Sequence, residues 1–268
     1  MKVVLFCGGQ GTRLREYSET IPKPMVKIGY RPILWNVMRF YAHFGIKDFI
    51  LALGYKGDYI KDYFVNYDET ISNDFVYKNG GKEIELLASD IDDWRITFVD
   101  TGMHANVGMR LMQVRQFLDG EEMFFANYAD GLSDLNLSAM IERFVSYPEM
   151  VGSFMTYRPT ATFHVVKTEP GGMVTSISPI SKSNLWYNTG YFIFRPEIFD
   201  FIEYGEELVE QPFQRLIAEK RLLSYQHNSF WQAMDTFKDK MHLDEMEARG
   251  ETPWEVWKKD SPLVNQFS

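Results

Sequence analysis

The sequence predicts an α/β fold built on a doubly wound, mainly parallel but mixed sheet in a single domain. Three observations carry the prediction. Short apolar runs alternate with stretches of helical periodicity up to residue 147, the pattern of βαβ units joined by right-handed crossovers. Beyond Pro148 the runs become short and alternating, with turns such as Pro170-Gly171-Gly172, as expected where a sheet continues in mixed or antiparallel fashion. A chain of 268 residues with 45% hydrophobic content is long enough to bury one substantial core. The domain is taken as 1–268, with a Rossmann-like half at 1–147 and a second half at 148–268.

Residues 2–7 predict a buried strand, and the glycines from Gly8 to Gly11 make the loop after it. The segment 31–44 has helical spacing with Pro32 near its start, 49–53 is a second buried strand closed by Gly54, and 59–66 is helical. Polar residues dominate 70–95, an excursion with short strands, before the strand at 96–99. A loop leads into a helix across 106–118, 123–126 is a strand running into Asn127-Tyr128-Ala129-Asp130-Gly131, and 137–147 is a helix. In the second half, strands are expected at 151–157, 163–167, 174–177 and 191–194, and helices at 212–220 and 238–249.

Composition narrows the function. The 24% charged residues are ordinary for a globular chain, and the 16% aromatic share favours a pocketed or oligomeric protein. A net charge of -9 without a basic run argues against general nucleic-acid binding, although a local glycine loop and a few cations can hold one triphosphate. The apolar run at 3–6 is too short for a secretory leader, and no stretch reaches the ~20 residues of a membrane span. The lone Cys7 forms no intrachain disulfide, so a cytoplasmic protein is expected, with Cys7 in a packing role. His43, His104, His227 and His242 show no ligand spacing with Cys7 that would suggest zinc.

Gly8-Gly9-Gln10-Gly11-Thr12-Arg13-Leu14 after a strand is a phosphate-loop candidate: the absent side chains let backbone N–H groups reach an anion, and Arg13 adds a fixed charge. Pro22-Lys23-Pro24-Met25 follows, and its prolines can hold Lys23 in a stiff segment, ready to meet a phosphate at low ordering cost. In open α/β sheets ligands bind beyond the carboxyl ends of the strands, where Gly8 and Ala129-Asp130 both fall.

With these residues the sequence resembles the sugar nucleotidyltransferases, and within them the glucose-1-phosphate cytidylyltransferases, over nearly its whole length. The resemblance rests also on Pro32-Ile33-Leu34-Trp35, Gly45-Ile46-Lys47-Asp48-Phe49, Gly54-Tyr55-Lys56-Gly57 and Val99-Asp100-Thr101-Gly102. Tyr128-Ala129-Asp130-Gly131, Phe230-Trp231-Gln232-Ala233-Met234-Asp235-Thr236 and the closing Pro253-Trp254 through Trp257 complete it. It implies a nucleotidyltransferase-type fold and an enzyme that joins CTP to a sugar 1-phosphate by metal-assisted in-line attack on the α-phosphate, releasing pyrophosphate. Arg13, Lys23 and Asp130 are the implied catalytic residues, and Asp130 and Asp235 the ligands of Mg²⁺. Nucleotide binding is implied for Phe6, Gly8, Gly9, Gly11, Thr12, Arg13, Lys23, Gly102, Gly108, Arg110, Tyr128 and Ala129. The sugar phosphate is implied at His164, Lys182, Asn188, Thr189, Gly190 and Trp231. A homo-oligomer is expected, without nucleic-acid or membrane partners; the segment around Trp254 and Trp257 reads either as a subunit interface or as a tail packed on its own chain.

Two segments depart from the family pattern. Ala105-Asn106-Val107-Gly108-Met109-Arg110 stands where the family has Ser-Met-Thr-Gly-Gly-Arg, and Ile177-Ser178-Pro179 where it has Glu-Lys-Pro, leaving Lys182 as the replacement lysine or a solvated one. His164 replaces a glycine, and bulky Trp186 and Tyr187 precede Asn188. Transfer with another nucleotide or another phosphorylated acceptor therefore stands beside the first reading, as does a nucleotide-binding homologue without turnover.

Overall fold

In the computed structural model, which describes residues 1–9, 21–158 and 163–259, the first apolar run forms β1 (Val3–Cys7), buried at every position. A small ribbon of β2 (Lys27–Ile28) and β3 (Arg31–Pro32) precedes α1 (Ile33–His43), so the helix begins after Pro32 rather than at Arg31. Proline suits that place, because the first turn of a helix has no use for its missing N–H. Then come β4 (Asp48–Leu53), α2 (Gly57–Val65), the hairpin β5 (Phe75–Lys78) and β6 (Glu83–Leu86), and β7 (Arg95–Asp100). The chain continues through α3 (Val107–Val114), β8 (Phe124–Tyr128), β9 (Gly131–Ser133) and α4 (Leu137–Val145). The second half contributes β10 (Gly152–Tyr157), the hairpin β11 (His164–Thr168) and β12 (Val174–Pro179), and β13 (Tyr187–Phe194). It closes with α5 (Gln211–Ala218), β14 (Leu222–His227), β15 (Trp231–Ala233), α6 (Phe237–Ala248) and α7 (Val256–Lys259).

Seven strands form one sheet in the order β14-β10-β13-β8-β1-β4-β7. All run parallel except β13, which pairs antiparallel with both β8 and β10. Successive side chains on a strand point to opposite faces. Val3, Leu5 and Cys7 accordingly pack under α1, α4 and α6, while Val4 and Phe6 pack under α3 and α5. Helices cover both faces, as a sheet of long apolar strands requires. Cys7 lies in this core, and burial pushes its thiol far up, outweighing the opposing pull of Arg110.

Arg31 is buried because it fastens the excursion after α2: its guanidinium stacks 4.2 Å over Tyr67 and bonds to the Asp68 carbonyl at 2.9 Å and to Asp90 at 3.3 Å. The edge strand β14 was not expected from the sequence. It is half exposed, so its apolar residues alternate weakly. Trp254 is buried against its own chain, with Phe230 at 5.6 Å, and Trp257 meets Trp35 edge-on at 6.0 Å. Among the described residues no helix is long and apolar enough to cross a membrane.

Candidate active site

From β1 the chain moves outward to β4 and β7 and then returns to β8 on the other side of β1. That reversal opens a crevice at the carboxyl ends of β1 and β8, which pair through Phe6 and Tyr128. A cavity of about 450 Å³ lies there. Its wall includes Phe6, Gly8 and Gly9 after β1, Tyr128, Ala129 and Asp130 after β8, and Lys23 and Arg110. Gly11, Thr12 and Arg13 lie outside the described residues.

A Cβ on Gly8 would run into the Arg110 guanidinium and displace it. That guanidinium is buried and donates to the Leu53 carbonyl at 3.0 Å, Thr101 Oγ1 at 2.6 Å and the Gly8 carbonyl at 3.1 Å. Arg110 thus clamps the ends of β1, β4 and β7 together. Burial lowers its pKa, opposed by nearby Cys7, Asp100 and Glu207. Gly102 forms the turn after β7 at φ 82°, and Gly108 lets α3 lie against the Glu206 carbonyl, where a Cβ would collide. Neither is part of the cavity wall among the described residues.

Asp130 and Asp235 meet through a two-stranded ribbon. β9 pairs antiparallel with β15, Gly131 opposite Ala233, and Met234 N–H donates to the Asp130 carbonyl at 2.9 Å, so the next residue, Asp235, falls beside Asp130. Thr236 then caps α6 in a capping box whose Asp239 carboxylate also accepts from the Asp235 N–H at 3.1 Å, fixing the carboxylate's backbone. Lys23 enters from a 3-10 turn, Lys23–Met25, anchored by buried Pro24 and Met25. Its ammonium bonds to Asp130 and, at 2.6 Å, to Asp235. Burial works against its charge, and the two carboxylates overcome that, raising its pKa.

A cation therefore already stands between the two carboxylates. Among the described residues no cluster of three or more His, Cys, Asp or Glu could hold a metal. Two carboxylates are nonetheless the usual protein share of a hard divalent ion that completes its shell with phosphate and water.

A half-buried clasp supports the ribbon. Asp134, just past β9, accepts from His227 Nε2 at 3.0 Å, Ser229 Oγ at 2.5 Å and Phe230 N–H at 2.8 Å. The same His227 nitrogen faces the Phe230 carbonyl, so it carries the proton. Burial opposes the Asp134 charge, but these donors prevail and hold its pKa at about 2.

The residues implied for the sugar phosphate fall into two groups. Opposite Met155 the β10–β13 register shifts, and the bulged strand carries Asn188, Thr189 and Gly190. Thr189 Oγ1 donates to the Met155 carbonyl at 2.8 Å, and Asn188 Oδ1 accepts from Gly190 N–H at 2.9 Å. Gly190 has φ 83°, and a Cβ on it would strike the Tyr128 ring. Trp231, on β15, lies against Gly131 and beside Tyr157 and Tyr187, at 5.8 and 5.4 Å between ring centroids. Its indole N–H is buried with no partner among the described residues. His164 and Lys182 form the second group: both are exposed at the open end of the β11–β12 hairpin, His164 opposite Pro179 and Lys182 in the following turn. Neither lines the 450 Å³ cavity.

Sequence reasoning missed Asp134 and Glu207. Glu207 lines the cavity but sits in an acidic stretch with no motif of its own, and its neighbours there are a hundred residues away in sequence. Only the fold brings it in.

Comparison with known proteins identifies the family. The family model described as nucleotidyl transferase matches residues 2–243. A Bacillus subtilis (strain 168) protein named "Probable glucose-1-phosphate cytidylyltransferase" is 35% identical over 262 residues, covering 96% of this chain and 100% of that one. The glucose-1-phosphate cytidylyltransferase of Salmonella typhi is 35% identical over 258 residues, with the same coverage of 96% and 100%. A solved UDP-glucose pyrophosphorylase in complex with UDP-glucose superposes with a TM-score of 0.67 at 16% identity, covering 93% of this chain and 98% of that one, a likeness of fold. By the family match and by its full-length likeness to these relatives, the chain belongs to the nucleotidyl transferase family, among the sugar nucleotidyltransferases.

Proposed function

We propose that the chain transfers a cytidylyl group from CTP to the phosphate of a glucose-1-phosphate-like sugar 1-phosphate, giving a CDP-sugar and pyrophosphate. The observation that carries this reading is the Lys23 ammonium held between Asp130 and Asp235 at a cavity on the switch point of the sheet. The relatives named as glucose-1-phosphate cytidylyltransferases support the nucleotide and acceptor.

The reaction asks mainly for charge control and alignment. A sugar phosphate has a second pKa of ~6 and is mostly dianionic near neutrality, so its oxygen attacks without a general base. Repulsion between that dianion and the triphosphate is the obstacle. Lys23 and the backbone N–H groups of Gly8 and Gly9, with Gly11, Thr12 and Arg13 of the same sequence motif, neutralise and orient the phosphates for in-line displacement. Asp130 and Asp235 fit Mg²⁺, which when bound supplies positive charge to the phosphate oxygens. Phe6, Tyr128, Ala129 and Arg110 border the nucleoside, while Gly102 and Gly108, set back from the cavity, shape the turn after β7 and the seat of α3. Asn188, Thr189, Gly190 and Trp231 are assigned to the sugar, with His164 and Lys182, exposed at the open end of the β11–β12 hairpin and in the turn after it, as further contacts for its phosphate.

The setting proposed is the cytoplasm, and the assembly a homo-oligomer. Supporting the latter, the β5–β6 hairpin exposes Phe75, Tyr77, Ile84 and Leu86. Mass in solution tests it. For the activity, pyrophosphate release is measured over four nucleoside triphosphates and a panel of sugar phosphates. Turnover with CTP and a hexose 1-phosphate supports the proposal; binding without release overturns it.

A further inference from the structure

Glu207 is a carboxylate on the wall of the cavity whose only bonds among the described residues are to main-chain N–H groups, Leu208 at 3.1 Å and Val107 at 3.4 Å. Its sequence neighbours Glu203 and Glu206 both pair with Arg215, but Glu207 makes no ion pair with a described residue. Arg110, the cation of the same wall, is committed to Leu53, Thr101 and Gly8. Each of its oxygens thus has one main-chain donor, but a carboxylate has about four acceptor sites, and this half-buried charge keeps acceptor capacity for a donor on a ligand.

The position along the cavity says which part of a nucleotide meets it. Gly8, Gly9, Lys23 and Asp130 form the end suited to phosphates. Glu207 belongs to another part of the wall, at the start of α3, where it accepts from Val107 N–H beside the 103–106 segment that also lines the cavity. The same wall carries the Phe6 and Tyr128 rings, 6.2 Å apart and tilted by 55°, aromatic surface that suits a base better than a sugar or a phosphate. Of the pyrimidines, cytosine presents an exocyclic amino donor where uracil and thymine present a carbonyl acceptor.

Resting on the CTP reading above, we propose that Glu207 is the specificity residue for the base, accepting a hydrogen bond from the cytosine 4-amino group and repelling the 4-oxo group of uracil. Selection then has an attractive and a repulsive part in one side chain. A well-placed contact of this kind discriminates by ~1–3 kcal/mol, or roughly 10- to 100-fold.

The test is kcat/KM for CTP, UTP and 2′-deoxy-CTP with the full chain as wild type, Glu207→Gln and Glu207→Asp, each checked by thermal melting. The amide can donate as well as accept, so Glu207→Gln is expected to lower the CTP/UTP ratio by ~10- to 100-fold, mainly through KM, with the CTP/deoxy-CTP ratio unchanged. Glu207→Asp keeps the charge but withdraws it, and is expected to lower the ratio less. An unchanged CTP/UTP ratio in Glu207→Gln, or a change confined to the ribose pair, overturns the proposal while leaving CTP as the substrate. A wild type that prefers UTP or a purine nucleotide overturns both readings at once.

Discussion

The ammonium of Lys23 lies 2.6 Å from Asp235 Oδ1, a partner 212 positions away, while its other bond goes to Asp130. Removing the ammonium leaves two carboxylates facing each other and takes a fixed positive charge from the phosphate end. Lys23→Ala is expected to reduce turnover by at least ~100-fold with the fold retained. Near wild-type pyrophosphate release from a variant with an unchanged circular dichroism spectrum would refute the assignment.

The same pair has a pH signature. The folded pKa of Lys23 is raised above its ordinary 10.5, so its contribution to stability is fully present below that value and is lost as pH rises through the folded pKa. The stability gap between wild type and Lys23→Met should stay constant through neutral pH and close only in strong alkali. Urea titrations at a series of pH values read this directly, and a gap that closes near neutrality contradicts it.

Asp130→Asn keeps the shape and removes the charge. It is expected to lower turnover by orders of magnitude, since only Asp235 then remains to hold a divalent ion, and to lower melting modestly through the lost ion pair with Lys23. Calorimetry with Mg²⁺ and CTP supplies an independent readout: metal-dependent tightening of CTP binding should weaken in the variant.

Asp134 gives a prediction about acid. Its pKa is held at about 2 against an ordinary 3.8, which corresponds to on the order of 2 kcal/mol. Because the folded value is the lower one, this stability is present above pH 3.8 and lost as pH falls through about 2. Asp134→Asn should be destabilised by about that amount at neutral pH, and the difference from wild type should vanish in strong acid. Losing the clasp should also loosen the β9–β15 ribbon and lower activity.

Gly190→Ala combines a positive φ with a methyl group directed into the Tyr128 ring. Strain and overpacking each cost ~1–3 kcal/mol, so a loss of at least about 2 kcal/mol in thermal or urea unfolding is expected. A variant as stable as wild type would mean that the bulge relaxes.

Much of the architecture was legible because β1, β4 and β8 are nearly continuous apolar runs, and buried strands announce themselves in that way. Lys23 could be named from its proline-flanked segment, and Asp130 and Asp235 because each sits in a motif that carries the family resemblance. What joins them could not, since the β9–β15 ribbon is made of three-residue strands too short to show a period. Arg110 was expected to face the ligand, yet its bonded nitrogens turn to backbone carbonyls and a hydroxyl, a choice set by three strand ends that only the sheet brings together. Glu207 carries no local signal at all. The residues expected on the acceptor side came from the resemblance, His164 and Lys182 from places where the sequence departs from it, and the exposure of these two depends on a hairpin whose alternation says nothing about where it projects.

The single reversed strand also limits how the molecule can move. Because β13 from the later half of the chain is bonded to β8 of the earlier half from Tyr191 opposite Asn127 to Phe194 opposite Phe124, no hinge can run between them without breaking the ladder. Engulfing two substrates must then be the work of connecting segments at the rim, with the platform beneath them rigid. For the same reason, severing the gene between the halves should yield fragments that regain structure only when mixed.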